Sequence, residues 1–243
     1  MNAVQLHSRP SGDYEIKLAH TLAVLTSAAA EHGSRIVQAT SLGAEDMVLT
    51  HLIAAHHLPI AIATLDTGKL HRETLELIDR AEAAWGLAIE RFAPPPDAVV
   101  HFVARHGERA MFDSVELRKA CCALRKLQPL ARMLDGRSAW ITGLRREQSE
   151  HRAEVPFSER EANGRLKLNP LADWTWGDVW HHIGVNGVPY NPLHDRFFPS
   201  IGCEPCTRAI ALGEDFRAGR WWWEQEGAKE CGLHVNKPEG ATA

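Results

Sequence analysis

The chain has 243 residues, 44% of them hydrophobic, which is enough to bury one large core and leave a functional tail. Its formal charge of -4 gives no general cationic footprint, which excludes bulk nucleic acid and anionic membranes as main partners and leaves any bound anion to local arginines. No stretch reaches the roughly 18 uninterrupted apolar residues of a membrane span, and residues 1–10 lack the layout of a signal peptide, so a cytoplasmic location is expected.

In residues 13–32, Leu18, Leu22, Leu25 and Ala29 fall on one helical face, and Gly33 supplies a stop. Residues 35–40 read as a short strand, 41–45 as a turn, and 46–57 as a helix that buries Met47, Val48 and Leu52. A second strand over 60–65 leads into a turn at Asp66, Thr67 and Gly68. Residues 71–85 place Thr74, Leu77, Ile78, Ala81 and Trp85 at helical spacing, Gly86 ends that helix, and 87–92 resumes a strand. Pro94, Pro95 and Pro96 break the chain before another helical stretch, and 139–142 predicts a further strand. Residues 145–165 are charged and aperiodic, while 173–206 are rich in Trp, Gly, Pro and His. Both are expected to be long functional loops with short helices.

Strands alternating with helices of this length imply an α/β fold, an open, mostly parallel sheet with helices on both faces. The expected division is one nucleotide-binding domain over 1–225 and a mobile tail over 226–243. Ligands of such sheets bind beyond the carboxyl ends of the strands, which points to the turns at 41–46 and 66–69. Ser41, Gly43 and Asp46 belong to a turn that opens a helix, where N–H groups could hold a phosphate or sulfate; a single glycine there is otherwise only a turn. Leu65-Asp66-Thr67-Gly68 would lie alongside, its backbone able to read an adenine edge. Arg145, Arg146 and Arg152 crowd one loop, and Arg217 and Arg220 sit three apart, a spacing that aims both one way on a helix. Guanidinium forks match phosphate and sulfate oxygens, although surface arginines are usually only solubilising. Trp174, Trp176, Trp180 and Trp221, Trp222 and Trp223 read mainly as packing residues.

Five cysteines in a reducing compartment are more often ligands or catalysts than disulfide partners. Cys121 and Cys122 are adjacent and Cys203 and Cys206 form a C-x-x-C, so together they offer four thiolates to a metal site. An iron-sulfur cluster, a structural zinc and buried unligated thiols are the three readings; an adjacent pair is awkward for tetrahedral zinc, and the 202–206 turn is expected to expose both of its sulfurs. Lys126 follows Cys122 by four residues, on the same face if the segment is helical. It would then stand between the metal site and an anionic substrate, or else join Arg125 on a solvated face. Cys231, in Glu-Cys-Gly-Leu-His near a polar tail, is either a nucleophile, favoured by nearby arginines or His234 and opposed by Glu230, or an ordinary terminal cysteine.

Cys121-Cys122, Gly202-Cys203-Glu204-Pro205-Cys206-Thr207 and Glu230-Cys231-Gly232-Leu233-His234 resemble the motifs of the assimilatory adenylyl-sulfate reductases. Ser41-Leu42-Gly43-Ala44-Glu45-Asp46, Leu65-Asp66-Thr67-Gly68 and Pro189-Tyr190-Asn191-Pro192-Leu193-His194-Asp195 extend that resemblance over nearly the whole chain. It implies an adenine nucleotide alpha hydrolase-like sheet, shared with ATP pyrophosphatases, and a [4Fe-4S] cluster on Cys121, Cys122, Cys203 and Cys206. It further implies that Cys231 attacks the sulfur of adenosine 5'-phosphosulfate, releasing AMP and leaving S-sulfocysteine, from which thioredoxin or glutaredoxin frees sulfite for assimilation towards cysteine. Lys126, Arg152, Arg217 and Arg220 would face the phosphosulfate. The alternatives are a phosphoadenylyl-sulfate (PAPS) or dual-substrate reductase, a tRNA thiolase disfavoured by the negative charge and the single-glycine loop, and a zinc-stabilised binding module.

Overall fold

Short runs rich in Ile, Val, Ala and Leu, set between turns, form one six-stranded sheet in the computed structural model, which describes residues 1–211 and 213–224. The strands are β1 (Ile36–Thr40), β2 (Ala61–Leu65), β3 (Ile89–Phe92), β4 (Ala139–Ile141), β5 (Ser158–Arg160) and β6 (Leu166–Leu168), in the order β3-β2-β1-β4-β6-β5. All are parallel except β5, which runs antiparallel to β6. Successive strand residues point to opposite faces, so burial of both Ile36 and Val37 requires cover on each side. Ile36 packs into a core with Leu25, Met47, Leu77 and Trp180, whereas Val37 packs with Ala63, Met133, Leu134 and Trp140.

The helices are α1 (Ala3–His7), α2 (Tyr14–His32), α3 (Ala44–Ala55), α4 (Arg72–Trp85), α5 (Pro96–His106), α6 (Val115–Cys122), α7 (Gln128–Met133) and α8 (Trp176–Asn186). None of the described helices is long and apolar enough to cross a membrane. The face of α2 differs from the expected one: Leu25 and Ala29 are buried, but Tyr14, Lys17 and Thr21 are buried with them, and Leu18 and Leu22 only partly. Polar partners turn it inward. Lys17 pairs with the buried Asp178 at 3.2 Å, while Thr21 donates to the Pro170 carbonyl and accepts from the Trp174 indole. The stretch 173–206 is likewise more regular than expected. Thr175 and Asp178 form a reciprocal capping box that starts α8, whose Val179, Trp180 and Ile183 enter the core.

Between α6 and α7 the backbone stays right-handed helical through a single π turn, Ala123–Leu127, so Val115 to Met133 is one rod with one wide turn. The chain runs outward from β1 through β2 to β3, then returns to β4 on the other side of β1. That reversal opens a crevice between the carboxyl ends of β1 and β4, where a sheet of this kind places its ligand.

Candidate functional site

A cavity of about 220 Å³ occupies this crevice. Ser41, Gly43 and Asp46 line it from the end of β1, Leu65 and Thr67 from the end of β2, and Thr142 and Gly143 from the end of β4. Lys126, Arg152, Arg217 and Arg220 complete a cationic wall. Ser41, Gly43, Asp46, Leu65, Lys126, Arg152, Arg217 and Arg220 therefore meet around one space, although Arg217 and Arg220 do so from a run of turns after Asp215 rather than from a helix.

In the loop after β1 the N–H groups of residues 41–43 turn inward to side chains of the same loop. The Ser41 N–H and Oγ both donate to Asp46 Oδ2 at 2.6 Å, the Leu42 N–H donates to Thr40 Oγ1 at 3.0 Å, and the Gly43 N–H reaches Ser41 Oγ at 3.4 Å. Leu42, with φ of 61°, holds a conformation that non-glycine residues rarely adopt. Asp46 also accepts from the Gly143 N–H, which ties the β1 and β4 loops together. A Cβ added at Gly143 would come within 2.5 Å of Asp46 Oδ1, so only glycine allows this approach.

Burial pushes the Asp46 carboxyl up to about 6, against the opposing bonds from Ser41 and Gly143. Because the folded value lies above the ordinary one, the folded chain holds the proton more tightly and stability falls as pH rises between about 4 and 6, by roughly 3 kcal/mol in all. Loop geometry should respond in the opposite direction, since the proton occupies an oxygen that otherwise accepts from Ser41 or Gly143. For AMP, the nucleotide that the resemblance implies, affinity is expected to weaken as pH falls through about 6, and Asp46→Asn to weaken it about tenfold with a flattened pH profile. Isothermal titration from pH 5 to 8 checks this; unchanged affinity in the variant would remove the bracing role.

The arginines divide sharply. Arg145 is buried in ion pairs with Glu45 (3.0 Å) and Glu147 (2.8 Å), and Arg146 donates to the Val155 carbonyl and lies over Phe157, so neither lines the cavity. Arg152 does. Its Nη1 donates to Gln148 Oε1 at 2.6 Å, and Gln148 in turn donates to Glu45 at 2.9 Å, a relay from the buried Arg145 pair to the cavity wall. Arg220 lies flat on Gly202, where a Cβ would meet its Cζ at 2.5 Å.

Sequence reasoning missed Gln148, Thr142, Gly143 and His194 as lining residues. His194 lay within the quoted 189–195 motif and Thr142 at a predicted strand end, which were the available signals. His194 is buried, and desolvation pushes it down to about 4, so it is neutral at physiological pH.

Behind the cavity, Cys121 and Cys122 at the end of α6 face Cys203 and Cys206 from a 3₁₀ turn, and all four are free thiols. They pack with Met111 and Trp221, and a smaller cavity among them is rimmed by Lys69, Arg118, Arg125 and Lys126. The turn does not expose its sulfurs as expected: Cys203 and Cys206 are 7% and 8% exposed. The loop after β2 covers it, with the Glu204 N–H donating to the Lys69 carbonyl at 2.8 Å and Thr67 Oγ1 lying 3.3 Å from Cys203 Sγ. Burial pushes Cys206 up to about 12 and raises Cys121. Among the described residues no three His, Cys, Asp or Glu side chains form a group set to hold a single ion. A four-thiol donor set with a cationic rim nevertheless suits an anionic thiolate-ligated group. Lys126, Cys203 and Trp221 line both cavities, so the two sites share a wall.

Residues 35–209, which run from the edge of β1 past Cys206, match the family model described as phosphoadenosine phosphosulfate reductase domain. The chain belongs to this family. It is 61% identical over 200 residues to a protein of Allochromatium vinosum named adenosine 5'-phosphosulfate reductase, covering 82% of this chain and 78% of that one. A Burkholderia cepacia protein of the same name is 56% identical over 206 residues, 84% of this chain and 82% of its own. The phosphoadenylyl-sulfate reductase of Candida auris, solved as a phosphate complex, superposes with a TM-score of 0.67 at 26% identity, over 78% of this chain and 90% of that one. Candida glabrata FMN adenylyltransferase, at 14% identity and a TM-score of 0.57, over 98% of this chain and 82% of its own, shares the fold alone. Within this phosphosulfate reductase family member, Cys231 and the division at 225/226 lie outside the described residues.

Proposed function

We propose that this reductase converts adenosine 5'-phosphosulfate to sulfite and AMP through an S-sulfocysteine on Cys231, in sulfate assimilation towards cysteine, with thioredoxin or glutaredoxin as reductant in the cytoplasm. The observation that carries this reading is the shared wall: a cavity of about 220 Å³ at the switch point of the sheet abuts a four-cysteine site, with Lys126 on both. The names of the relatives support the unphosphorylated substrate.

In this reading the Cys231 thiolate attacks the sulfur, the bond from sulfur to the bridging phosphate oxygen breaks, and AMP leaves with that oxygen. A dithiol reductant then attacks Cys231 Sγ, sulfite departs, and the second thiol closes the reductant's disulfide. Lys126, Arg152, Arg217 and Arg220 hold the phosphosulfate oxygens and spread the charge that moves onto AMP. Ser41, Gly43 and Leu65 shape the nucleotide end. Cys121, Cys122, Cys203 and Cys206 would hold a [4Fe-4S] cluster, whose four irons each take one thiolate, so the sulfurs need not converge on one point. When bound, such a cluster would supply a fixed anionic field beside Lys126.

The test is sulfite release by anaerobically purified protein with reduced thioredoxin, comparing adenosine 5'-phosphosulfate with its 3'-phosphorylated form, alongside iron, acid-labile sulfide and zinc analysis. Preference for the unphosphorylated nucleotide, with iron and sulfide present, is expected. Preference for the phosphorylated form, the second reading favoured by the likeness to the Candida auris enzyme, would keep the fold and change the substrate. Release from neither, with zinc in place of iron, would overturn the reading.

A further inference from the structure

The stretch from Pro189 to Asp195 winds into a 3₁₀ helix, Pro192–Arg196, and its polar side chains are tied to the rest of the fold. Asn191 Oδ1 accepts from the Leu193 N–H at 3.0 Å, and Asn191 Nδ2 donates to Thr74 Oγ1 on α4 at 2.8 Å. Asp195 accepts from the Tyr190 hydroxyl at 3.0 Å and from the Ala3 N–H of α1 at 2.7 Å. His194, between them, is different. It is buried and lines the cavity, yet neither Nδ1 nor Nε2 has a hydrogen-bond partner among the described residues. The Phe198 backbone lies near enough to favour a protonated ring but makes no bond of good geometry with it. The Trp180 and Trp176 rings stand edge-to-face with the imidazole, their centres 5.2 and 6.0 Å away, so packing fixes the ring while its nitrogens are left over.

Buried polar atoms without partners are costly, and those that line a cavity are satisfied by what enters it. A neutral imidazole offers one N–H donor and one acceptor nitrogen. Phosphate and sulfate oxygens only accept and call for positive charge, which Lys126, Arg152, Arg217 and Arg220 supply on the same wall, whereas His194 has the Glu45 carboxylate for a neighbour. A hydroxyl both donates and accepts, and so matches this ring. In the nucleotide of the proposed reaction the hydroxyls are those of the ribose.

We infer that His194 binds a ribose hydroxyl of the substrate, which makes it a further ligand-contacting residue of the cavity. The inference rests on the reading of the cavity as an adenine-nucleotide site. Where the hydroxyl is the 3' one, a 3'-phosphate would remove its proton and set a dianion beside Glu45, so the contact would also favour the unphosphorylated nucleotide. The alternative is that the ring only fills space against Trp176 and Trp180.

The experiment is isothermal titration of the anaerobically purified full chain with AMP, 2'-deoxy-AMP and 3'-deoxy-AMP. The parent is expected to bind at least one deoxy form about tenfold more weakly than AMP, the effect of one hydrogen bond lost from a buried site. His194→Phe keeps an aromatic ring against the two indoles and removes both nitrogens; it should bind AMP about tenfold more weakly and bring that ratio to within about twofold. If the Phe variant does not fold, His194→Leu is read by the same rule. A variant that keeps the parent's full ratio, or a parent that does not distinguish AMP from either deoxy form, would overturn the contact and assign the ring to packing. A ratio lost with the 3'-deoxy form upholds a contact that selects against a 3'-phosphate, and one lost with the 2'-deoxy form upholds a contact for affinity alone. Failure of the parent to bind AMP would instead remove the nucleotide reading, a result separable from any change at residue 194.

Discussion

Replacing Cys231 by serine is expected to lower sulfite release at least about 10⁴-fold, because in the proposed mechanism the residue removed is the nucleophile itself. Iron content and AMP affinity should remain at the parent level. No other described cysteine can take over. Cys121, Cys122, Cys203 and Cys206 are all buried, and in the proposed mechanism their sulfurs are engaged as ligands, unlike the accessible thiolate that attack requires. A serine hydroxyl is a poor substitute, because at neutral pH it is almost wholly protonated and far less nucleophilic than a thiolate. Steady-state sulfite release with reduced thioredoxin checks the prediction, and near-parent activity in Cys231→Ser would mean that sulfur is captured elsewhere.

Lys126→Ala is expected to reduce kcat/KM by about 10² to 10³, the usual cost of removing a preorganised charge aimed at a developing anion. The side chain lines both cavities, and its charge opposes the upward push on Cys206, so its field reaches the cysteine site as well as the substrate. Lys126→Arg keeps the charge but presents a broad planar fork in place of a compact ammonium, and should recover only part of the loss. Iron content separates the outcomes. A kinetic loss with iron retained supports a role toward the phosphosulfate, whereas loss of iron in the alanine variant would place the lysine in the service of the cysteine site.

The half of the sheet built from β1, β2 and β3 was legible because each strand meets a helix long enough to show its period. Thr74, Leu77, Ile78 and Ala81 announce the buried face of α4 without help from the rest of the chain. β5 and β6 have three residues each, too few for alternation to register, and are made by pairing with one another and with β4. α8 carried a readable start in Thr175 and Asp178, but its Trp, His and Gly content masked the apolar face formed by Val179, Trp180 and Ile183. The inward turn of α2 was unreadable for a different reason: Lys17 is buried only because Asp178, 161 residues away, meets it.

The site followed the same rule. The cysteines, Lys126 and the motifs at the strand ends declare their chemistry by residue type and spacing, whereas Gln148 gains its place only through Glu45 and Arg152. Arg145 looked like an anion ligand by composition alone. In the fold its charge is taken up by Glu45 and Glu147.

The π turn at Ala123–Leu127 makes the rod from Val115 to Met133 sensitive to length in a way that composition does not reveal. Deleting one residue there would let ordinary α-helical bonding run straight through, a locally comfortable outcome. It would also rotate everything upstream by about 100° relative to α7, the turn of one α-helical residue. Cys121 and Cys122 would swing away from Cys203 and Cys206, and Arg125 would lose its 2.7 Å bond to the Thr67 carbonyl. Residues 123–127 should therefore accept no gap, so that in a deletion scan of this protein the helix would stay intact while the four thiols came apart.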